Sequence, residues 1–286
     1  MQERFYRAAA LFEKRQFDEA IVELNQIIEF DPKSFGSYYL RGQARFLKQD
    51  VDGALSDFNK AIQFAPPFTP NLERVYNSRG VVREYKKDSA GALSDFNKAL
   101  SLNTKYAEAY NNRATNFLRS NKYDAALSDL EKAIEIKPNL IAAHIGLGDV
   151  WFAKRDFNKA IVAYSKALDF DKNIASAYLL RGASYGLSGE IDLALPDLRK
   201  AIELNANRTT IFQGNIELSL KELNVFIEEN PLSGRGHQLR GVIKLLQGKD
   251  LEAEAAFKKA VEIDKNLESE IKKLIAEIKP KTKGIS

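Results

Sequence analysis

The chain has no cysteine, only two histidines, one methionine and one tryptophan in 286 residues. Without thiols it holds no disulfide scaffold, no thiolate zinc site and no cysteine nucleophile, and the redox compartment stays open. Long apolar runs are missing as well: none approaches the roughly 18 residues of a membrane span. Met1 leads straight into amphipathic sequence without a signal-peptide core. Charge of one sign is also scarce, with 43 Lys and Arg against 39 Asp and Glu, a formal +4. That excess is too small to imply a nucleic-acid surface. What is present is 44% apolar residues, enough for a sizeable core, and a length that by itself suggests two domains.

Internal repetition overrides the length argument. Ala54-Leu55-Ser56-Asp57, Ala92-Leu93-Ser94-Asp95 and Ala126-Leu127-Ser128-Asp129 are identical strings, and the anchor alanine recurs at Ala20, Ala160, Ala194 and Ala253, with Ser219 in one unit. Successive anchors are 34, 38, 34, 34, 34, 25 and 34 residues apart, which makes eight units. The eighth place of the unit is small (Ala8, Gly42, Gly80, Ala114, Gly148, Gly182, Gly241), and the twenty-fourth is large and apolar (Leu24, Phe58, Phe96, Leu130, Tyr164, Leu198, Leu223, Phe257). Pro32, Pro66, Pro138 and Pro231 close four of the units.

These residues resemble the tetratricopeptide repeat family from residue 1 to about 267. The resemblance implies an all-α fold, a right-handed superhelix of paired antiparallel helices. Physically, small residues let two helices approach closely, and a larger side chain there overpacks at a cost of roughly 1–3 kcal/mol. Asp18, Asp52, Asp124, Asn158 and Asp192 are expected as N-caps of the second helices, each worth about 1 kcal/mol. The prolines end those helices, and Pro196, expected at the fourth residue of its helix, is tolerable there. The expected organisation is six units over 1–208 with extra loop residues 69–72, then a truncated unit plus one full unit over 209–267. A capping helix over 268–279 and a tail over 280–286 follow.

A second regularity pairs Arg7, Arg41, Arg79, Arg113 and Arg181 with an acid sixteen residues later: Glu23, Asp57, Asp95, Asp129 and Asp197. Where the unit has Leu147 instead, the partner place is Ala163, so both change together; Arg240 facing Ala256 is the exception. This predicts a bidentate ion pair between the two helices of a unit, in preference to an arginine row for phosphate. Unit seven lacks nine residues of its first helix, which predicts at most a turn or two over 206–212, a second helix near 217–230 and a break or bend in the array. Phe226 is expected to fill the vacated space. Ile271, Leu274, Ile275 and Ile278 form one helical stripe, the mark of a polar-backed cap at the open end of a stack.

Family resemblance also implies where partners dock, since first helices line a concave groove. The places so marked are Tyr39, Gln43, Phe46, Arg74, Asn77, Glu84, Asn111, Asn112, Thr115 and Asp149. Phe5 and Phe12 mark it at one end, Leu179, Leu180, Leu187, Leu245 and Leu246 at the other. Glu13, Glu84, Glu108 and Asp149 against Arg74, Arg119 and Arg235 leave the groove slightly acidic, which argues against nucleic acid. The side chains that family chaperone adaptors use to clamp a terminal carboxylate are not completed in any register. An asparagine ladder is represented only by Asn112.

Chemistry-bearing patterns are weak. His144 and His237 stand where other units have Tyr38, Tyr76, Tyr110 and Tyr178, in distant repeats, so packing is the expected role and no His-x-x-x-His metal site forms. Gly234-Arg235-Gly236 lacks the strand-turn-helix context of a nucleotide loop, Trp151 reads as core, and Asn207-Arg208-Thr209 is a glycosylation sequon of the kind that arises by chance. The sequence therefore predicts a non-catalytic scaffold without cofactor or metal, binding a protein or peptide, with no nucleic acid and no membrane span. The alternatives are a recognition arm of a larger enzyme or secretion complex, a co-chaperone without the carboxylate clamp, and self-association. A soluble cytoplasmic chain is favoured over a mature periplasmic or secreted one.

Overall fold

The computed structural model describes residues 1–204 and 210–282; among them are 16 α-helices and no strand. They gather into two compact units, Met1–Leu140 and Ile141–Ser286. The first holds α1 (Gln2–Glu13), α2 (Phe17–Phe30), α3 (Phe35–Leu47), α4 (Val51–Phe64), α5 (Leu72–Tyr85), α6 (Ser89–Leu102), α7 (Ala107–Arg119) and α8 (Tyr123–Ile136). Helices of this length are marginal alone in water, so each is held by the stripe it buries. α1 packs on α2, α3 on α4, α5 on α6 and α7 on α8, and each pair stacks on the next. The odd-numbered helices also touch one another in order, α1 to α3 to α5 to α7, and so form one continuous layer.

The turn inside each pair is a left-handed residue, Arg15, Gln49, Lys87 or Asn121, with φ between 56° and 66°. This turn corrects the capping expectation. The second helix begins one residue ahead of Asp18 and of Asp52, and the true N-caps lie two places earlier: Asp50 accepts from the Gly53 amide and Asp88 from the Gly91 amide, both at 2.9 Å. Asp18 and Asp52 sit in the first turn, where the helix dipole favours an anion, and they bind Lys48 and Lys86 of the following repeat.

The close approach of paired helices has a measurable cause. A Cβ on Gly80 would lie 2.6 Å from the Phe96 ring, and one on Gly42 2.8 Å from the Phe58 ring. Phe58 and Phe96 are each 1% exposed, so a ring that yields to the added methyl must leave its packed place. Gly80→Ala is expected to lower stability by up to about 2 kcal/mol, an overpacking cost of about 1–3 less the ~1 by which alanine favours a helix. Urea unfolding checks this; a raised midpoint would remove the space argument.

The second unit holds α9 (Ile141–Ala153), α10 (Phe157–Phe170), α11 (Ala175–Leu187), α12 (Ile191–Leu204), α13 (Thr210–Glu229), α14 (Gly234–Leu246), α15 (Asp250–Ile263) and α16 (Leu267–Thr282). Pro196 is the sixth residue of α12 rather than the fourth, and the helix runs on past it to Leu204. Among the described residues unit seven contributes a single helix, α13, which already begins at Thr210 and takes in 210–212. Lacking a first helix of its own, α13 packs on α11 and α14. Its stripe Ile216, Leu220, Leu223 and Ile227 is buried there, while half-buried Phe226 meets α14 at Gly236. Arg155, from the turn after α9, reaches Glu222 at 3.4 Å and Glu229 at 3.3 Å and ties α13 in place.

One hydrophobic core runs from Phe152 to Leu274 and crosses the repeat boundary at 208. The sequon Asn207-Arg208-Thr209 lies outside the described residues. At the far end α16 packs on α12, α14 and α15, burying Leu267, Ile271 and Leu274 as a cap must. It extends through 280–282, residues expected in the tail, while 283–286 lie outside the described residues.

Candidate interaction groove

The ion pairs form the frame that positions everything else. Arg41, Arg79, Arg113 and Arg181 each grip the acid sixteen residues on through two parallel bonds of 2.6–2.9 Å. The remaining nitrogen of each guanidinium reaches back to the preceding repeat, to Asn25, Asn59, Asn97 and Ser165 respectively, at 2.6–3.0 Å. Each also stacks on the tyrosine three residues before it, 5.4–5.5 Å from the ring centre. One side chain thus fixes three helices at once. The backward contact was readable from the recurrence of Asn25, Asn59 and Asn97 and was missed. Arg45 and Arg83 add a second cation to Asp57 and Asp95 at 2.8 Å. At Glu23 the pattern loosens to single bonds from Arg4 and Arg7.

Arg240, the exception, resolves through His237. Its guanidinium lies 3.0 Å from His237 Nδ1, an arrangement that needs a neutral ring. Burial, then the Arg240 charge, lowers the His237 pKa accordingly. The ring replaces a tyrosine of the Tyr38 kind, whose hydroxyl donates to the Pro32 carbonyl at 3.3 Å. His144 is likewise 6% exposed and packs against Phe170 at 5.5 Å.

In the first unit, the layer α1, α3, α5 and α7 carries nine of the ten expected groove residues. Their polar groups form two hydrogen-bonded sets, Gln43 with Tyr39 and the asparagines with Tyr106. Gln43 donates to the Tyr39 hydroxyl at 3.2 Å, Asn112 to Asn77 Oδ1 at 3.0 Å, Asn77 to the Tyr106 hydroxyl at 3.4 Å, and Asn111 to Asn112 Oδ1 at 3.4 Å. The Thr115 hydroxyl turns back to the Asn111 carbonyl at 3.1 Å. Asn111 Oδ1 is buried and accepts no hydrogen bond from the protein. Burial raises the Tyr39 pKa and pushes that of Tyr106 up to about 12, so both hydroxyls stay neutral while they accept these amide bonds. Tyr106 caps α7 from an inter-repeat loop, where no residue pattern points to it.

Two adjoining cavities open among these residues. One, of about 190 Å³, is lined by Phe12, Gln43, Phe46, Leu47, Phe58, Asn77, Ser78 and Val81. The other, of about 210 Å³, is lined by Phe46, Val81, Glu84, Tyr85, Phe96, Asn112, Thr115 and Arg119. Phe46 and Val81 belong to both and form the partition. The groove's charges are matched locally: Arg119 binds Glu84 at 2.9 Å and Lys137 binds Glu108 at 2.8 Å. Exposed Arg74 remains at the rim.

Profiles of the tetratricopeptide repeat match residues 4–68, 107–140, 175–208 and 235–267, and a further TPR repeat profile matches 148–189. The chain belongs to the tetratricopeptide repeat family. Among solved tetratricopeptide structures, one from Parabacteroides merdae is 18% identical, with 97% of this chain and 98% of that one covered and a TM-score of 0.61. The C-terminal part of a repeat protein from Cytophaga hutchinsonii is 18% identical over 96% and 99%, TM-score 0.58. MamA protein is 25% identical over 60% and 92%, TM-score 0.50. No curated protein sequence matches the chain.

Beyond the first unit, this tetratricopeptide chain departs from the expected groove. Leu179, Leu180, Leu187, Leu245 and Leu246 are 0–7% exposed inside the second core, because α13 and its neighbours cover the face that first helices otherwise present. Asp149, the tenth expected residue, lies on α9 and accepts from the Tyr164 hydroxyl at 2.9 Å. Burial raises its pKa to about 6, offset in part by that hydrogen bond. Tyr164 takes the place that holds Phe58 and Phe96 in the first unit, and in its repeat Leu147 and Ala163 replace the ion pair.

No helix among the described residues is long and apolar enough to cross a membrane.

Proposed function

We propose that this protein is a non-catalytic interaction scaffold and that the layer α1, α3, α5 and α7 captures an extended peptide segment of a protein partner. The observation that supports this best is the pair of adjoining cavities floored by Phe58 and Phe96 and rimmed by side-chain amides. Apolar floors supply anchor pockets, and amides satisfy the backbone of an extended chain. A buried acceptor left unpaired costs about 1–3 kcal/mol, which Asn111 recovers when its amide turns outward to a peptide N–H. The near balance of groove charges disfavours nucleic acid, whose binding needs several unpaired cations.

Replacing Asn111 and Asn112 together by alanine is expected to weaken partner capture at least tenfold while leaving the helical content unchanged. Pull-down of the partner from source cells with wild-type and variant chains reads this out. Undiminished capture by the double variant would count against the groove.

A further inference from the structure

We propose that the two cavities of the first unit read two neighbouring side chains of one bound segment, an uncharged apolar one over Phe58 and a phenolic one over Phe96. This rests on the groove reading above and concerns what the groove selects. The lining of the first cavity contains no ionisable group. A charged side chain placed there would lose its hydration with no opposite charge to meet, whereas an aliphatic or plain aromatic side chain gives up only apolar surface.

The second cavity differs in one respect. Its walls are aromatic, with Phe96 as floor and Phe46 set edge-on to Tyr85 at 6.0 Å and 90°. Its polar end is the Glu84 carboxylate, held from two sides by Arg119 and by buried Asn116. Each carboxylate oxygen retains an acceptor position after these bonds. A phenol entering ring-first over Phe96 can donate its O–H to Glu84 and accept from Arg119, which is 62% exposed and keeps free N–H groups. An incoming carboxylate or ammonium group meets Glu84 and Arg119 already paired with each other, so neither finds a free counter-charge to offset the hydration it gives up. The size is suitable, since an apolar cavity of about 150 Å³ holds benzene.

Methyl NMR on the full chain tests this with toluene, p-cresol, 4-methylbenzylamine and p-toluate as probes. At the Thr115 methyl, p-cresol is expected to bind at least threefold more tightly than toluene and more tightly than either charged probe. At the Leu47 methyls, which report the first cavity, toluene is expected to bind at least as well as p-cresol. Thr115→Trp, a change at an exposed rim position that also removes the reporting methyl, should abolish the p-cresol preference as read from the signals of the probes themselves and leave the Leu47 response intact. Equal binding of toluene and p-cresol at Thr115, tightest binding by the amine or the acid there, or no response to any probe would overturn the proposal. Partner capture that persists in a Leu47→Trp, Thr115→Trp double variant would instead count against the groove reading itself.

Discussion

Asp95→Ala is expected to cost about 3 kcal/mol or more of unfolding free energy, the range observed when one partner of a buried ion pair is removed. Asp95 is 2% exposed and takes two bonds from Arg79 and one from Arg83, which are themselves only 15% and 24% exposed. Its loss leaves Arg79 without a counter-charge and Arg83 with only Asp88, 3.8 Å away. It also frees the Arg79 guanidinium that bonds Asn59 of the preceding repeat at 2.9 Å, so the damage crosses the boundary between repeats. Asp129→Ala should cost less: Asp129 pairs with Arg113, and Phe117 stands where the second arginine would be. Urea unfolding of both variants measures the difference, and hydrogen exchange should place the Asp95 effect in α3–α6. Equal and small losses would show that stacking on tyrosine and the bond to the preceding repeat hold the arginines without the acid.

Asp149→Asn is expected to stabilise the chain by about 3 kcal/mol at pH 7 and to change nothing below pH 4. The Asp149 pKa stands at about 6 against an ordinary 3.8, so the folded state holds its proton more tightly than the unfolded state does. Stability from this group is therefore complete below the unfolded pKa and is lost as pH rises through 6, at about 1.4 kcal/mol for each pH unit between the two values. Asparagine keeps an acceptor for the Tyr164 hydroxyl and removes the charge that burial penalises. Thermal unfolding of both chains from pH 4 to 8 should show the wild type falling away from the variant between pH 4 and 6. Parallel curves would mean that the carboxylate is adequately solvated at its place on α9.

The repeat pattern made the frame legible. Arg41 and Asp57 could be paired on paper because five units repeat the same sixteen-residue interval and a sixth drops both partners. Capping was misplaced by two residues because the left-handed turn residue has no fixed identity: Arg15, Gln49, Lys87, Asn121 and Gly189 all adopt it. The groove was half legible. Leu47 lines a cavity and Leu187 is buried in a core, although each is the last residue of its first helix. What separates them is α13, which lost its own first helix and packs against α11. The spacing of anchors showed nine residues missing but not where the orphaned helix would turn for cover. Tyr106 was invisible for a different reason, lying between repeats where periodicity carries no information.

The most direct test of the account is site-specific crosslinking of the partner in source cells, with p-benzoylphenylalanine placed at Thr115 in the groove or at Lys98 on the exposed side of α6. Crosslinked partner is predicted from Thr115, lost when Leu47→Trp blocks the neighbouring cavity, with none from Lys98. A partner crosslinked from Lys98 and not from Thr115 would contradict it.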